Sequence, residues 1–440
     1  MFLAWKVRYM VRDNRGEKSG VSRGALFSAA GVLAVGCTVA ALTTGFGDRA
    51  FAALASVYDA VAPASVTYSR TAPSNDDEKM TPAKPQVMHV ATPAAVKAVY
   101  MSQCAAGTPS FRESLTKLID TTELNAIVID IRDYTGKIAF PTDNPILKNM
   151  VSEECGARDM RTFVKSLHEK NIYVIGRITV FQNPYYTKVH PEQAVQSSKG
   201  GVWKDRKGLA FVDVGATAHW DTVVELAKES YDIGFDELNF DYIRYPSDGD
   251  MASAVYIKRD GKTKQEILED FFKYLHDNVA PTGVKMSADL FGMTTTNVDD
   301  LNIGQVLEKA LPYFDFIDPM VYPSHYPSGF HGYAKVNEHP YDIVHFSMQE
   351  AVRRTIATTT EVASLAHTRI GTSTPALYSK PVYPSSKMRP WLQDFDYPVD
   401  YTPAMVEAQI KANTDAGLNS YLFWDPGNKY SSLKQILKPE

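Results

Sequence analysis

Three cysteines in 440 residues are too few to build a disulfide scaffold, and with 44% hydrophobic residues the chain has no need of one. Excess charge of one sign is also missing: 46 Lys+Arg stand against 51 Asp+Glu, a formal net charge of -5. A protein devoted to nucleic acid needs a basic surface to neutralise phosphates, so that class of partner is set aside. The ten His include no His-x-His or His-Glu-x-x-His spacing, which removes support for a zinc hydrolase. No Gly-x-Ser-x-Gly elbow, phosphate-binding loop or dinucleotide fingerprint stands between a strand and a helix, and no cofactor is expected. Aromatic residues are plentiful. The chain has 24 Tyr, and rings of this kind either pack cores or stack on sugar faces.

A long uncharged run occurs near the N-terminus. Residues 1–23 carry Lys6, Arg8, Arg12, Arg15, Lys18 and Arg23 against Asp13 and Glu17, and residues 24–47 carry no charge. As a helix rising about 1.5 Å per residue, that run reaches about 36 Å, enough for a hydrocarbon core of about 30 Å. The basic side stays in the cytoplasm, which predicts a single-pass signal anchor with the rest of the chain periplasmic or extracellular. Cleavage near Ala50-Phe51-Ala52 would instead release a secreted protein. Residues 48–95, rich in Pro, Ala, Ser and Thr, read as a flexible linker, which leaves 96–440 as the folded domain. Outside the cytoplasm Cys104 and Cys155 can bridge two neighbouring loops or remain free thiols, and composition leaves both readings open.

From Val96 onward short β-branched runs alternate with amphipathic stretches. Strands are predicted at Ala98–Met101, Ala126–Arg132, Tyr173–Val180, Glu237–Tyr242, Lys285–Leu290, Phe316–Tyr322, Arg389–Gln393 and Tyr421–Trp424. Helices are predicted at Phe111–Thr121, Asp159–Lys170, Trp220–Ile233, Lys264–Val279, Gly304–Leu311, Tyr341–Ala366, Pro403–Ala416 and Ser431–Leu437. Eight of each specify an α/β fold, a (β/α)8 TIM barrel. The Pro-rich segment Gly371–Lys387 reads as a loop over the barrel mouth, with plain surface coil as the alternative.

The strand faces carry the functional signal. A buried parallel strand should be apolar on both sides. Yet alternation puts Asp130 and Arg132 on one face of the second strand, Arg177 on the third, Asn239 and Asp241 on the fourth and Asp289 on the fifth. Asp318 and Tyr322 follow on the sixth, Trp391 and Gln393 on the seventh, and Trp424 and Asp425 close the eighth. Asp130, Arg132 and Arg177 can equally be a structural ion pair that plugs the barrel end. Polar groups on the same face at the same end of so many strands point instead to an active site at the C-terminal face.

Asp241 and Asp289 end neighbouring strands about 4.8 Å apart. Their carboxyls could then approach the roughly 5–5.5 Å that suits nucleophile and acid/base in a retaining glycosidase. Close like charges raise one pKa, giving the proton donor, while Arg177 or Arg244 holds the other carboxylate. Tyr322, Trp391 and Trp424 are assigned to sugar stacking. Asp130, Arg132, Arg177, Asn239, Arg244, Tyr245, Asp318, His325, Gln393 and Asp425 complete the expected substrate contacts. Two other readings stay open: a glycan-binding barrel without turnover, and a metal-assisted lyase or hydrolase with Asp130, Asp241 and Asp289 as ligands.

The run from Gly234 to Gly249, with Phe240-Asp241-Tyr242-Ile243-Arg244-Tyr245-Pro246-Ser247 at its centre, resembles the fourth-strand motif of a bacterial family of glycoside hydrolase-like TIM-barrel domains of unknown function. The resemblance continues through Trp203–Gly208, Ser287–Gly292, Asp318–Tyr326, Arg389–Phe395 and Trp424–Asn428 and covers nearly all of Val96–Ser432. It implies a TIM barrel with a polysaccharide or oligosaccharide as partner. In related amylase-like barrels a fourth-strand Asp is the nucleophile and a fifth-strand acid the proton donor, which carries over to Asp241 and Asp289. Chitinase-like barrels end their fourth-strand motif in Glu. Ile243 holds that place here, so a substrate-assisted mechanism is not expected.

Overall fold

The computed structural model describes residues 87–256 and 260–439. The anchor expected at 24–47 and most of the linker lie outside the described residues. Among the described residues no helix is long and apolar enough to cross a membrane.

Eight parallel strands close into a barrel in sequence order. They are β1 (Lys97–Met101), β2 (Ala126–Arg132), β3 (Tyr173–Thr179), β4 (Glu237–Asp241), β5 (Lys285–Phe291), β6 (Phe316–Met320), β7 (Trp391–Gln393) and β8 (Tyr421–Trp424). Helices α1 (Pro109–Asp120), α2 (Met160–His168), α3 (Thr217–Ile233), α4 (Lys264–Val279), α5 (Leu307–Ala310), α6 (Pro340–Ile356) and α7 (Pro403–Asp415) return the chain between strands.

Side-chain alternation explains the layering. Ile127, Ile129 and Ile131 of β2 and Leu238 and Phe240 of β4 belong to the apolar core that the helices cover. The intervening residues turn to the axis. Gly176 of β3 faces the helical side, where a Cβ would meet Ile131 Cδ1 at 2.2 Å and Phe235 Cδ1 at 2.9 Å. Only glycine lets those two side chains close over the strand. Gly234, with φ at 129°, ends α3 and turns the chain toward β4, which carries Asp241.

Three expectations are corrected. Helix α6 stops at Ile356 rather than Ala366, because Thr358-Thr359-Thr360 just beyond it are β-branched and helix-averse. Thr359–Thr360 instead pairs with Leu377–Ser379, which pairs in turn with Thr368–Ile370. Part of Gly371–Lys387 is thus sheet, and the segment enters the barrel from the N-terminal side, where Met388 pairs with Ile317 of β6. The helix expected at Ser431–Leu437 is a single 3-10 turn, Leu433–Gln435. The end of the linker also belongs to the fold: Val90 N donates to Asp236 Oδ1 at 2.7 Å and Thr92 Oγ1 lies 3.1 Å from the Tyr173 hydroxyl. Cys104 and Cys155 form a disulfide, Cα–Cα 4.5 Å, which ties the loops that follow β1 and β2.

Candidate active site

The strand register brings Asp130 beside Arg177, Arg177 beside Asn239, and Asp289 beside Asp318. Arg177 is the hub. Its Nη1 donates to Asp130 Oδ1 at 2.6 Å, its Nε to Asp241 Oδ2 at 3.2 Å, and its Nη2 to that same Asp241 oxygen. The Nε also lies 3.9 Å from Asp289 Oδ2, so one guanidinium spans both candidate catalytic carboxyls. Burial opposes its charge, but Asp241 and Asp130 outweigh burial and push its pKa well up.

Asp241 ends β4, and the next residue, Tyr242, takes a left-handed conformation with φ at 51°. That turn aims the Tyr242 N–H at Asp241 Oδ1, 2.5 Å away, so both oxygens of the carboxylate accept from fixed donors. Asp289 is held differently. Its Oδ1 accepts from Trp391 Nε1 at 2.7 Å and from Asn239 Nδ2 at 2.8 Å, while Oδ2 faces Arg177. Burial first, then the neighbouring Asp241 and Asp318, push the Asp289 pKa well above the usual carboxylate range. Both side chains sit deep, Asp241 at 8% exposed and Asp289 at 1%. On the far side of Arg177, burial raises Asp130 to about 6 although Arg177 restrains it, and the Tyr100 hydroxyl donates to it at 2.5 Å.

A second polar tier lies beneath. Arg389 donates to Asp318 Oδ1 through Nε and to Glu237 Oε2 through Nη1, each at 3.0 Å. Ser287 Oγ and the Tyr173 hydroxyl donate to the same Glu237 at 2.7 and 3.0 Å. Burial lifts Asp318 to about 6 despite Arg389. Asn239 joins the tiers, since its Nδ2 reaches Asp318 Oδ2 at 3.2 Å as well as Asp289.

Aromatic residues line the axis end. Trp424 stacks on Tyr100 with centroids 3.8 Å apart, and the Arg177 guanidinium lies 4.9 Å from its ring. The Tyr322 ring is 5.0 Å from that of His325 and 5.6 Å from that of Phe395. Burial pulls the His325 imidazole down to about 4, so it is neutral near pH 7. The Arg244 guanidinium is clamped by Phe291 at 4.6 Å and Tyr242 at 4.9 Å, and it donates to Tyr245 O and Ser247 Oγ rather than to a carboxylate.

Asp130, Arg177, Asn239, Asp241, Asp289, Asp318, Tyr322, His325, Trp391 and Trp424 thus gather at or just below the C-terminal ends of the strands, with Arg244 at the rim. Four residues expected there do other work. The register shifts between Asp130 and Arg132, which takes Arg132 off the shared face, and its Nε donates to Thr179 O at 2.8 Å. Tyr245 is wholly buried against Tyr256, 4.9 Å away. Gln393 ties loops, donating to Phe395 O and Tyr397 O and accepting from Ser324 Oγ. Asp425 closes a turn by accepting from Gly427, Lys429 and Tyr430 N–H groups. Trp391 is a hydrogen-bond donor to Asp289, 1% exposed, rather than an open stacking platform.

Sequence reasoning missed Tyr100, Glu237, Arg389 and the Tyr242 amide. Alternation in β1 and β4 would have exposed Tyr100 and Glu237. The backbone turn at Tyr242 has no residue-type signal, because left-handed conformations favour Gly, Asn and Asp.

Residues 98–430 match the family described as "Putative glycosyl hydrolase domain". No curated protein matches the sequence. Among solved structures, a hypothetical protein from Ruminiclostridium thermocellum ATCC 27405 is 30% identical over 47% of this chain and 98% of that one, with a TM-score of 0.40. The PgaB (BpsB) glycoside hydrolase domain from Bordetella bronchiseptica is 13% identical over 78% of this chain and 99% of its own, with a TM-score of 0.54, a likeness of fold. An alpha-galactosidase from Thermus thermophilus is 10% identical over 79% of this chain and 61% of its own, with a TM-score of 0.45.

Proposed function

The chain belongs to this glycosyl hydrolase domain family, and from that membership we propose that it is a retaining glycosidase acting on a cell-surface or extracellular polysaccharide. Asp241 attacks the anomeric carbon and Asp289 protonates the leaving oxygen. The observation that carries this reading is the unequal treatment of two carboxyls spanned by one guanidinium. Arg177 and the Tyr242 amide neutralise and orient the Asp241 carboxylate, while burial and like charge drive Asp289 toward its protonated form. The Asp289 oxygen left free of Trp391 and Asn239 is the one near Arg177 and Asp241, where a glycosidic oxygen would receive the proton. In the second step the deprotonated Asp289 draws a proton from water as that water attacks the glycosyl-Asp241 ester.

The positive charge of Arg177 amid Asp130, Asp241 and Asp289 speaks against a dication held by those three carboxylates. The deep burial of Asp289 favours one second reading, a barrel that binds glycan without turnover. The disulfide supports a location outside the cytoplasm, in keeping with the anchor proposed at 24–47.

The test incubates the full-length protein with envelope and extracellular glycans and follows new reducing ends. Wild type releases them, and Asp241→Asn and Asp289→Asn each slow release by about 100-fold or more. If both variants keep wild-type release, the assignments are wrong. Saturable binding with no product from any glycan supports the second reading. The first-formed anomer, read by NMR, distinguishes retention from inversion.

A further inference from the structure

Two clefts open among the loops that leave the C-terminal ends of the strands, the end of the barrel that carries Asp241 and Asp289. One, of about 580 Å3, is lined by Lys137, Lys148, Ser152, Glu153 and Arg158 of the segment between β2 and α2, and by Tyr185 just after β3. The other, of about 410 Å3, lies between the start of α1 and the segment after β8, with Phe111, Asn428, Lys429 and Lys434 in its walls. The chain as a whole carries -5. Both clefts run against that sign: three cations and one carboxylate line the first, and two cations and no carboxylate line the second.

The first cleft is pinned to the barrel. Ile138 pairs with Arg132 at the end of β2 and with Val151, and the Cys104–Cys155 disulfide holds the same segment three residues after Ser152. Lys137 Nζ lies 3.8 Å from the centre of the Tyr185 ring and 3.3 Å from Asn149 O, which also accepts from the Tyr185 hydroxyl at 2.6 Å. Arg158 Nη2 donates to Ser152 O at 3.1 Å. These partners are neutral. Lys137, Lys148 and Arg158 form no ion pair among the described residues, whereas Arg112 is paired with Asp159, next to Arg158 in the chain. Positive charge gathered in a concave site focuses potential on an incoming anion. The second cleft leads back to the carboxyls: Asn428 Nδ2 donates to Tyr100 O at 3.2 Å, and the Tyr100 hydroxyl donates to Asp130, the partner of Arg177. Phe111 stays 37% exposed in its wall, an apolar ring beside two lysines, which suits a sugar that carries a charge.

Resting on the reading of the barrel as a glycosidase, we propose that its substrate is a polyanionic glycan, whose carboxylate or phosphate groups seat in these two rim clefts while the scissile bond lies over Asp241 and Asp289. Arg158 offers a guanidinium fork to such a group and the lysines offer point charges. A neutral glycan loses that seating and keeps only its contacts at the barrel axis.

The experiment separates seating from cleavage by using full-length Asp241→Asn, which lacks the proposed nucleophile and keeps both clefts. Calorimetric titration at low ionic strength measures binding of polygalacturonate, of the same polymer after carboxyl reduction, and of poly(glycerol phosphate). A polyanion binds, the neutral polymer binds about tenfold or more weakly, and the polyanion's affinity falls as salt rises. Binding of polygalacturonate alone identifies the carboxylate, and binding of poly(glycerol phosphate) alone identifies the phosphate. Adding Lys148→Glu with Lys434→Glu, both exposed, weakens the bound polyanion by about tenfold. Adding Lys117→Glu with Lys165→Glu instead, in the last turns of α1 and α2, makes the same charge change and leaves binding as it was. No binding of either polyanion, a neutral polymer bound as tightly as the polyanion, an unaffected cleft variant, or an equal loss in the helix-end variant overturns the inference. Wild type that cleaves neutral glycans without binding polyanions overturns it too and leaves the glycosidase reading standing. Polyanion binding through the clefts, with no polymer cleaved by wild type, overturns the glycosidase reading alone.

Discussion

The indole N–H of Trp391 donates to Oδ1 of Asp289 at 2.7 Å, so a ring that sequence alone assigns to sugar stacking instead holds the proposed proton donor. A hydrogen bond of this kind favours the ionised carboxylate and opposes the upward push of burial. The position of the basic limb of activity therefore depends on the indole.

Trp391→Phe keeps most of the ring and removes the donor. Asp289 then holds its proton to higher pH, and the basic limb of the kcat/KM profile moves up by about one unit. Stability falls by about 1–2 kcal/mol, read by urea unfolding. A downward shift of the basic limb would contradict this account.

Arg177→Met strands Asp130, Asp241 and Asp289 together without a counter-charge. The expected loss is about 3–5 kcal/mol in urea unfolding, the cost of breaking a buried pair from one side. Arg177→Lys keeps the charge but not the fork, and recovers part of the stability with little of the activity.

Asp130 tests the electrostatics through pH. Its folded pKa of about 6 lies above the unfolded value of about 3.9, so the folded state holds the proton more tightly. The stability this supplies is fully present below about pH 4 and is lost as pH rises through about 6. Wild type should thus lose about 2–3 kcal/mol from this group between pH 4 and 7, and Asp130→Asn should flatten that slope. Urea unfolding at four pH values reads the slope independently of the offset caused by the lost Arg177 contact.

Reducing the Cys104–Cys155 bridge opens a link across a sequence separation of 51. The chain-entropy account expects a loss of about 4 kcal/mol, seen as a lower Tm in dithiothreitol. Cys104→Ser with Cys155→Ser should match the reduced protein and be insensitive to the reductant.

Strand alternation made much of this molecule legible. The period of two, together with apolar runs interrupted by Asp, Asn and Arg, located all eight strands and the face that carries Asp241, Asp289, Arg177 and Asn239. It failed where geometry departs from the regular pleat. The shift after Asp130 moves Arg132 to the other side, and a one-residue slip is invisible in composition. It also failed for pairing. Trp391 and Asp289 are 102 positions apart, and Arg389 and Glu237 are 152 apart, so their hydrogen bonds are products of closure around the barrel. Arg389 was in view as part of a motif, but nothing local marks it as the partner of Glu237. The threonine run after Ile356 was readable from propensity alone.

Asn239 touches Asp289 and Asp318 with one amide, and Arg389 grips Asp318 from below. Protons on the axis are therefore held in common, leaving in collective steps instead of residue by residue. The acidity of the carboxyls at the top is set partly from the floor: a substitution at Arg389 would retune the whole column.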